Sequence, residues 1–396
     1  MIGISFVGTG NYEEVAYSFG GRVITTRLFP VAFNDFINPD SHLILLTKEA
    51  DEKYGDAFND KGKFRKIRIP IGKTETEIWE IFSAMVDNIP KQSEVAIDVT
   101  HGFRIQPMIA LASILYLKAL KDIRIKHILY GAYEAKDVNN VTPTFDLKPF
   151  TDIVEWSNAL LEFSNNANMK GLSPLLKAIH KNSNLNKNEN KSRQLEGAGN
   201  DLGKLADSFS TIRIAEVLEY SKKFQKRLPA IAVDLKNHIE SKPFGYLLDK
   251  INEKVLPLIA SPEEMFTSEG IKAQKHLLRW YLSSSQYQKA ITLARELMLS
   301  VYVLNNFSLT ENSEVLDKEI RIKGEKELGE LIDRRRKGKS MPGGKRKIAE
   351  LWERITDNRN DIDHAGMRKN PQPSDKLIAN ITDSVNKVLE VCQLAD

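Results

Sequence analysis

The chain is poor in cysteine, in long apolar runs and in histidine clusters, and each shortage excludes a class of protein. Cys392 is the single cysteine, which excludes an intramolecular disulfide and a cysteine-rich zinc site. No run approaches about eighteen apolar residues, so we expect no membrane span. The seven histidines form no H-x-H or H-E-x-x-H pattern, so we expect no resident metal. The start, "MIGISFVGTGNYEEV", lacks a basic leader and a cleavage site, so we expect no signal peptide and a cytoplasmic protein.

Charge is nearly balanced over the chain but concentrated in one stretch. The 396 residues are 41% hydrophobic and 28% charged, with a formal net charge of +4, which is typical of a globular protein of two or three domains. The stretch "RRRKGKSMPGGKRK", 334 to 347, has eight basic residues and no acid. It is either a solvated loop or a loop that neutralises phosphates. The second reading assigns nucleic-acid contacts to Arg334, Arg335, Arg336 and Lys337.

The first 150 residues alternate between β-rich and helical segments. Strand candidates are "ISFVGTG", "RVITTRLFPVAF", "HLILLTKEA", "KFRKIRIPIG", "SEVAIDVT" and "IRIKHILYGAYEA". Helical segments are "TETEIWEIFSAMVDNIP", with a Thr start and a Pro stop, and the apolar "FRIQPMIALASILYLKAL". This alternation predicts an α/β domain over residues 1–150, with a mostly parallel, Rossmann-like sheet and helices on both faces.

From residue 151 the strand signal ends and helices are predicted. They lie in "DIVEWSNALLEF", "RIAEVLEYSKKFQKRLPAIAVDL", "FGYLLDKINEKVLPLIA", "KRKIAELWERITDNRNDIDHAGM" and "DKLIANITDSVNKVLEVCQLA", with a helical hairpin in "KHLLRWYLSSSQYQKAITLARELMLSVYVLNNF". The Lys/Asn-rich "HKNSNLNKNENKSRQLEGAGN" predicts an exposed loop. A division near residue 265 gives a helical connector over 151–265 and a terminal all-α domain over 266–396.

The first of two glycine-bearing turns follows the first strand. This turn, "GTGNY", is not a dinucleotide fingerprint, because Glu13 stands where the third glycine would fall. It also lacks the lysine of a phosphate-binding P-loop. A plain tight turn therefore explains it as well as a binding site does.

The second turn, "DVTHGFR" at 98–104, lies between an apolar strand and an apolar helix. An open α/β sheet places its ligand at such a strand end, beside a helix N-terminus whose free N–H groups suit anions. Thr100 and His101 offer donors, Gly102 lets the backbone come close, and Arg104 adds a positive charge. A structural turn with a surface arginine is the alternative, but the density of polar groups favours a ligand site.

An arginine and a histidine separated by four residues stand near the C-terminus, in "RNDIDHAGM". Five helical steps place Arg359 and His364 about 140° apart around a straight helix, so the pair from one chain makes a poor active site. A two-fold interface that brings two such helices together removes this difficulty. Histidine can act as base or acid and arginine can bind phosphate oxygens, which suits cleavage of RNA by its own 2′-hydroxyl. An ordinary charged helix turn is the alternative.

Together, "ISFVGTGNY", "DVTHGFR" and the R-x4-H pattern resemble the CARF–HEPN ancillary ribonucleases of type III CRISPR systems, over the whole chain. The resemblance implies a Rossmann-like CARF sensor, an all-α connector and a C-terminal HEPN helical domain, in a homodimer or higher oligomer. It implies that the two turns bind cyclic oligoadenylate through Thr9, Gly10, Asn11, Thr100, His101, Gly102, Phe103 and Arg104. We expect cyclic tetra-adenylate as the activator, although cyclic hexa-adenylate is also compatible with a two-fold axis.

The same resemblance implies a composite nuclease site of two protomers, built from Arg359, His364 and Asn360 without a metal or other cofactor. It implies cleavage of single-stranded RNA in antiviral defence, with 2′,3′-cyclic-phosphate products. The basic stretch lies just upstream of the pair, which favours RNA contact there. Glu296, on the helix expected to begin the HEPN domain, is a candidate to orient Arg359, and an ordinary helix-surface ion pair is the alternative.

Two other functions stay open at this point. The helical half can signal to partners without cutting RNA, as in CARF-linked regulators. The intact Arg359 and His364, and the lack of a recognisable DNA-reading helix-turn-helix, argue against that function. Some sensors of this kind also cleave their own ring ligand, and Thr9, Asn11 or Thr100 would support such a reaction.

Overall fold

The computed structural model describes residues 1–59, 62–185, 194–236, 242–367 and 369–394. It divides into two compact units, Met1–Ile153 and Val154–Asp396. The strands of the first unit are β1 Ile2–Val7, β2 Val15–Phe19, β3 Arg22–Thr26, β4 Ser41–Leu46, β5 Phe64–Arg68, β6 Glu94–Asp98, β7 Arg124–Gly131 and β8 Val141–Asp146. Its helices are α1 Phe29–Ile37, α2 Lys48–Tyr54, α3 Glu75–Asn88 and α4 Ile105–Lys121, and α5 Lys148–Asn166 begins there.

The eight strands form one sheet in the order β3-β2-β8-β7-β6-β1-β4-β5. β2–β3 and β7–β8 are antiparallel, and the remaining neighbours are parallel. Alternate residues of a strand face opposite sides of the sheet. Accordingly, Leu43 and Leu45 pack into the core formed with α3 and α4, while Ile44 and Leu46 pack with Ala50 of α2. The predicted α/β unit, mostly parallel with helices on both faces, is confirmed.

Two predicted strands end earlier than the apolar pattern indicated. In "RVITTRLFPVAF" the strand ends at Thr26 and α1 begins at Phe29, because Pro30 suits the first turn of a helix but cannot donate to a sheet. In "HLILLTKEA" the strand ends at Leu46, because the Thr47 side chain caps α2. In both segments a helix start interrupts an apolar run.

Two strands were not predicted from the sequence. β2 is only five residues long, and it pairs with β3 and β8 rather than with the central strands. β8 contains Pro143, which weakens a strand pattern because proline cannot donate to the ladder. Both strands belong to the side of the sheet that carries its antiparallel pairs.

The second unit is helical and has one continuous apolar core, with Trp156 and Cys392 among its members. Its further helices are α6 Leu172–Leu185, α7 Leu195–Thr211, α8 Ile214–Lys236, α9 Lys242–Val255, α10 Ser268–Ser283, α11 Tyr287–Asn306, α12 Lys318–Arg336, α13 Gly343–Asp363 and α14 Ser374–Val391. Burial raises the pKa of the Cys392 thiol to about 12. The predicted hairpin is confirmed as α10 and α11, while the predicted division near residue 265 stays a prediction. Within the described ranges, every helix is too short or too polar to cross a bilayer.

Two predicted loops contain helix. In the Lys/Asn-rich stretch, α6 extends to Leu185 and α7 begins at Leu195, while residues 186–193 lie outside the described part of the chain. The fully buried Leu195 and Ala198 give the end of that stretch an apolar face, which the surrounding polar residues obscure. The basic stretch is a helical hairpin, because its three arginines form the last turn of α12 and α13 begins at Gly343.

α12 approaches α11 closely at Gly324. A Cβ atom at this position would lie 2.8 Å from Val303 Cγ2 and 3.1 Å from Leu299 Cδ1. A Cβ atom at Gly329, further along the same helix, would meet nothing within 4 Å. The two glycines therefore differ in packing while sharing one helix.

We expect Gly324→Ala to lower the free energy of unfolding by about 1–3 kcal/mol, because the added methyl group overpacks the contact with α11. Gly329→Ala should raise it by about 0.5–1 kcal/mol, because alanine loses less backbone entropy in a helix. Urea unfolding of both variants checks the pair. Equal effects at the two positions would contradict the close approach of α12 to α11.

Candidate functional site

The two glycine turns of the first unit meet, backbone against backbone. A Cβ atom on Gly8 would lie 3.2 Å from Gly102 Cα. Gly102 has a φ of +114°, a conformation that side chains rarely allow. The turns follow β1 and β6, which are adjacent and parallel, so both lie at the carboxyl ends of neighbouring strands. The structure thus brings together the two segments that the sequence singled out.

The second turn is held by hydrogen bonds to its own strand and to the next. The Thr100 amide donates to Asp98 Oδ1 at 2.7 Å, and the Gly131 amide donates to Thr100 Oγ1 at 2.8 Å. The Phe103 amide donates to Gln106 Oε1 at 3.1 Å. The Thr100 hydroxyl group therefore already serves the fold, because its oxygen accepts from Gly131 and the side chain also forms a hydrogen bond with the Asp98 carboxyl group.

His101 has a structural contact as well. Its Nε2 accepts from the Phe29 amide at 3.0 Å, and its ring stacks on Tyr12 with centroids 4.0 Å apart. Burial lowers the pKa of His101 to about 4, so the ring is neutral at physiological pH. The sequence predicted that His101 donates a hydrogen bond to a ligand, whereas its Nε2 accepts a hydrogen bond from the protein backbone.

The first turn is held by two residues that sequence reasoning missed. Lys53 Nζ donates to Thr9 O at 3.0 Å and to Asn11 Oδ1 at 2.6 Å. Tyr54 Oη donates to Gly10 O at 2.5 Å. Both residues end α2, far from the turn in sequence, and no local pattern marks them.

A cleft of about 350 Å³ opens beside the turns, and we call it the sensor cleft. Of the predicted ligand residues, its wall includes Asn11, Thr100 and His101. The others, Thr9, Gly10, Gly102, Phe103 and Arg104, belong to the two turns but not to this wall. Sequence reasoning missed the remaining lining residues, which are Tyr12, Glu13, Val15, Tyr17, Arg27, Tyr130, Gly131, Tyr133 and Glu134.

Two exposed arginines add positive charge to that of Lys53 near the two turns. Arg27 lines the sensor cleft, and Arg104 stands at the start of α4. Among the described residues neither guanidinium has an ion-pair partner. An arginine without a partner can bind phosphate oxygens at no cost of breaking an existing pair.

Beneath the second turn lies a buried carboxyl group. Asp98 is fully buried, and burial raises its pKa to about 7, although the hydrogen bond from the Thr100 amide opposes this. Ser5 and His42, also fully buried, share a hydrogen bond of 2.9 Å on the neighbouring strands β1 and β4. Burial lowers the pKa of His42 to about 3, so this imidazole is neutral.

In the second unit, Arg359 and His364 lie at the end of α13. Arg359 Nε is 2.7 Å from Asp363 Oδ2, and Gln288 of α11 donates to the other oxygen of that carboxylate at 3.4 Å. His364 is exposed and caps the helix, and its amide donates to Asn360 O at 3.1 Å. This bond keeps His364 in register with the helix, and the chain turns away at Ala365, whose φ is +52°.

A polar network fixes the chain just after His364. The Gln372 amide donates to Asp361 Oδ2 at 3.1 Å, and Gln372 Nε2 donates to Asn358 Oδ1 at 3.1 Å. Asn380 of α14 donates to Gln372 Oε1 at 2.6 Å. Asn358 and Asp361 are almost fully buried, so this network holds the returning chain against α13 and α14.

The prediction that Glu296 orients Arg359 needs correction. Glu296 pairs with Arg295, at 3.0 Å, and with Arg321. In the described part of the chain, the carboxylate in contact with Arg359 is Asp363. The sequence could not show this, because three neighbouring helices compete for each charged group.

The basic hairpin is only partly available to a ligand. Arg335 and Arg336 both pair with Glu353 of α13, with Arg336 Nε 2.9 Å from Glu353 Oε1. Arg334 and Lys337 are exposed, and their side chains have no ion-pair partner among the described residues. The four predicted phosphate ligands are therefore not equivalent.

Comparison with known proteins supports the resemblance of the first unit to a CARF domain. Residues 57–134, which include the second turn but not the first, match the family described as CRISPR system endoribonuclease Csx1, CARF domain. The first unit is CARF-like. The chain is also 29% identical, over 111 residues, to the CRISPR-associated protein MJ1674 of Methanocaldococcus jannaschii. That alignment covers 27% of this chain and 18% of the relative, so the chain matches under a fifth of the relative's length. These matches support a CARF-containing CRISPR ancillary protein.

We expect Asp98→Asn to stabilise the protein increasingly as the pH rises. Between about pH 4 and pH 7 the carboxyl group of Asp98 is ionised in the unfolded chain but keeps its proton in the folded protein. The contribution of this group to wild-type stability is therefore fully present below about pH 4 and is lost as the pH rises through 7. The asparagine cannot ionise. The difference in the free energy of unfolding between Asp98→Asn and wild type, measured by urea unfolding, should change by on the order of 2–4 kcal/mol between pH 4.5 and pH 8.

The exposed Asp35→Asn serves as the control for this measurement. A pH-independent difference between wild type and Asp98→Asn would show that Asp98 ionises in the folded protein as it does in the unfolded chain.

Proposed function

We propose that this protein is a metal-independent endoribonuclease that cyclic oligoadenylate activates, and that it cleaves single-stranded RNA in type III CRISPR defence in the cytoplasm. The observation that carries this proposal is the sensor cleft. It lies at the carboxyl ends of parallel strands in a CARF-like unit, beside two glycine turns and an unpaired arginine. Cyclic tetra-adenylate is the ring that we expect to bind there.

The nuclease reaction follows from the chemistry of Arg359 and His364. The 2′-oxygen of RNA attacks the adjacent phosphorus, the bond to the 5′-oxygen breaks, and a 2′,3′-cyclic phosphate remains. The attacking hydroxyl loses a proton and the leaving oxygen gains one, and imidazole groups can serve both transfers. Arg359 would bind the phosphate after exchanging its contact with Asp363 for phosphate oxygens. Asn360 lies next to it and would help to position the RNA.

A homodimer would bring two copies of the Arg359 and His364 pair together in one composite site. The first unit has exposed apolar side chains on α3 and α4, with Trp79 64% and Met108 69% exposed. Trp79, Phe82 and Tyr116 form a row of contacting aromatic rings across the two helices. Such a patch favours contact with another protein surface, and a second copy supplies a matching patch by symmetry.

Activation would be a shift between two arrangements of the dimer. A ring bound in the first unit can control a site in the second only if it binds the active arrangement more tightly. To move the population from about 1% to about 99% active, that preference must be on the order of 10⁴-fold. The ring's several phosphates and its rotational symmetry allow equivalent contacts with both protomers.

Catalysis is tested with the full-length protein, labelled single-stranded RNA and cyclic tetra-adenylate. We expect Arg359→Ala and His364→Ala to reduce cleavage at least about 10²-fold, because each removes charge stabilisation or proton transfer. Ring binding, measured by calorimetry, should stay unchanged. Wild-type cleavage should persist in excess EDTA, because the proposed groups need no metal ion.

Arg354→Ala is the matched control, since Arg354 lies on the same helix but pairs with Asp383 of α14. Wild-type rates in both site variants would contradict the catalytic assignment. Ring binding without any RNA cleavage by the wild type would favour the alternative, a CARF sensor that signals through its helical half.

RNA binding by the basic hairpin should depend on which residues are changed. Replacing Arg334 and Lys337 with glutamine should reduce the slope of log affinity against log salt by roughly 0.7 for each lost phosphate contact. Replacing Arg335 and Arg336 should change it less, because Glu353 already holds both. Binding titrations of catalytically inactive protein at several salt concentrations measure this. An unchanged slope for both pairs of substitutions would show that the basic hairpin is a solvated surface that does not contact RNA phosphates.

A further inference from the structure

The sensor cleft contains acidic groups that an anionic ligand alone does not explain. Glu13 and Glu134 both line it, while the cation in the described wall is Arg27 and the histidine there is neutral. Each carboxylate would repel the phosphates of a ring nucleotide at short range. The carboxylates are therefore compatible with such a ligand only where it presents hydrogen-bond donors.

Both carboxylates are held in place by tyrosines of the same wall. Tyr133 Oη donates to Glu13 Oε2 at 2.7 Å, and Tyr130 Oη donates to Glu134 Oε2 at 3.1 Å. In the described part of the chain, the structure gives the second oxygen of neither carboxylate a hydrogen-bond partner. Each group is thus oriented at one oxygen and free to accept a hydrogen bond at the other.

A ring of adenylates offers two kinds of donor, the 6-amino group of adenine and the 2′-hydroxyl of ribose. The wall of the cleft favours the base, because four tyrosines line it, and one of them, Tyr12, lies against the ring of His101. Aromatic side chains bind the faces of nucleobases and leave the base edge for polar recognition. A base seated among these rings would direct its edge toward the carboxylates.

We infer that Glu13 and Glu134 accept hydrogen bonds from the 6-amino group of an adenine base in the sensor cleft, and that they select adenine rings over rings of other purines. This inference rests on the proposed ring ligand. Guanine and hypoxanthine carry a carbonyl oxygen where adenine carries the amine. The N1–H of those bases can serve one carboxylate, but the other then faces the carbonyl oxygen with no proton to share, so the wrong base leaves two acceptors opposed.

The test compares three synthetic rings with equal charge on the full-length protein by calorimetry: cyclic tetra-adenylate, cyclic tetra-inosylate and cyclic tetra-2′-deoxyadenylate. Wild type should bind the adenylate ring at least about 10-fold more tightly than the inosylate ring, the preference expected for a hydrogen bond to a charged group. Glu13→Gln and Glu134→Gln should each reduce this preference several-fold, because the glutamine amide can donate to the carbonyl of hypoxanthine.

Glu52→Gln is the matched control, because it removes the same charge from an exposed residue of α2 that lines neither the sensor cleft nor the pocket that adjoins it. A general loss of repulsion would raise the affinity for all rings equally in all three variants and leave the preference unchanged. That outcome, with rings still bound, overturns this inference and leaves the proposed function standing. If the glutamine variants changed only the preference for ribose over deoxyribose, the carboxylates would be partners of the 2′-hydroxyl group. That result would also overturn this inference. Failure of the wild type to bind any ring would refute the proposed function itself.

Discussion

The contact between Gly8 and Gly102 is the constraint on which the sensor cleft depends. Two parallel neighbouring strands end here, and their turns touch without a side chain between them. The side chains beside this contact pack into the fold, since Thr100 accepts from the Gly131 amide and His101 accepts from the Phe29 amide. Tyr12 bridges the two turns, since its hydroxyl accepts from the Gly8 amide and its ring lies on His101. The cleft is the space that this arrangement leaves beside β7.

In the helical unit, the corresponding constraint is competition for carboxylates. Arg359, Arg335 and Arg336 each have an acidic partner on α13. Such partly exposed pairs are individually weak, so phosphate oxygens can replace the carboxylate at modest cost. The same pairs hold each guanidinium in a defined position before RNA binds, which reduces the side-chain conformational entropy that is lost on binding.

The sequence predicted those parts of the fold and site whose signal is local. The second turn was found because polar residues stand between an apolar strand and an apolar helix, and α13 because its apolar spacing is regular. Lys53 and Arg27 were missed because they reach the site from other parts of the chain. Glu296 was misassigned because nothing local shows which of several arginines a carboxylate meets. β8 was missed because Pro143 interrupts its pattern, although it completes the sheet beside the cleft.

The burial of Cys392 makes this protein convenient for spectroscopy. The residue is 2% exposed, and a thiol pKa of about 12 keeps the sulfur protonated and unreactive at neutral pH. A maleimide dye added to the native protein should therefore find almost no background target. A cysteine introduced at an exposed position in either unit becomes a unique labelling point without removal of the native one. Distances between such labels can then be followed by fluorescence energy transfer, with the core packing around residue 392 left intact.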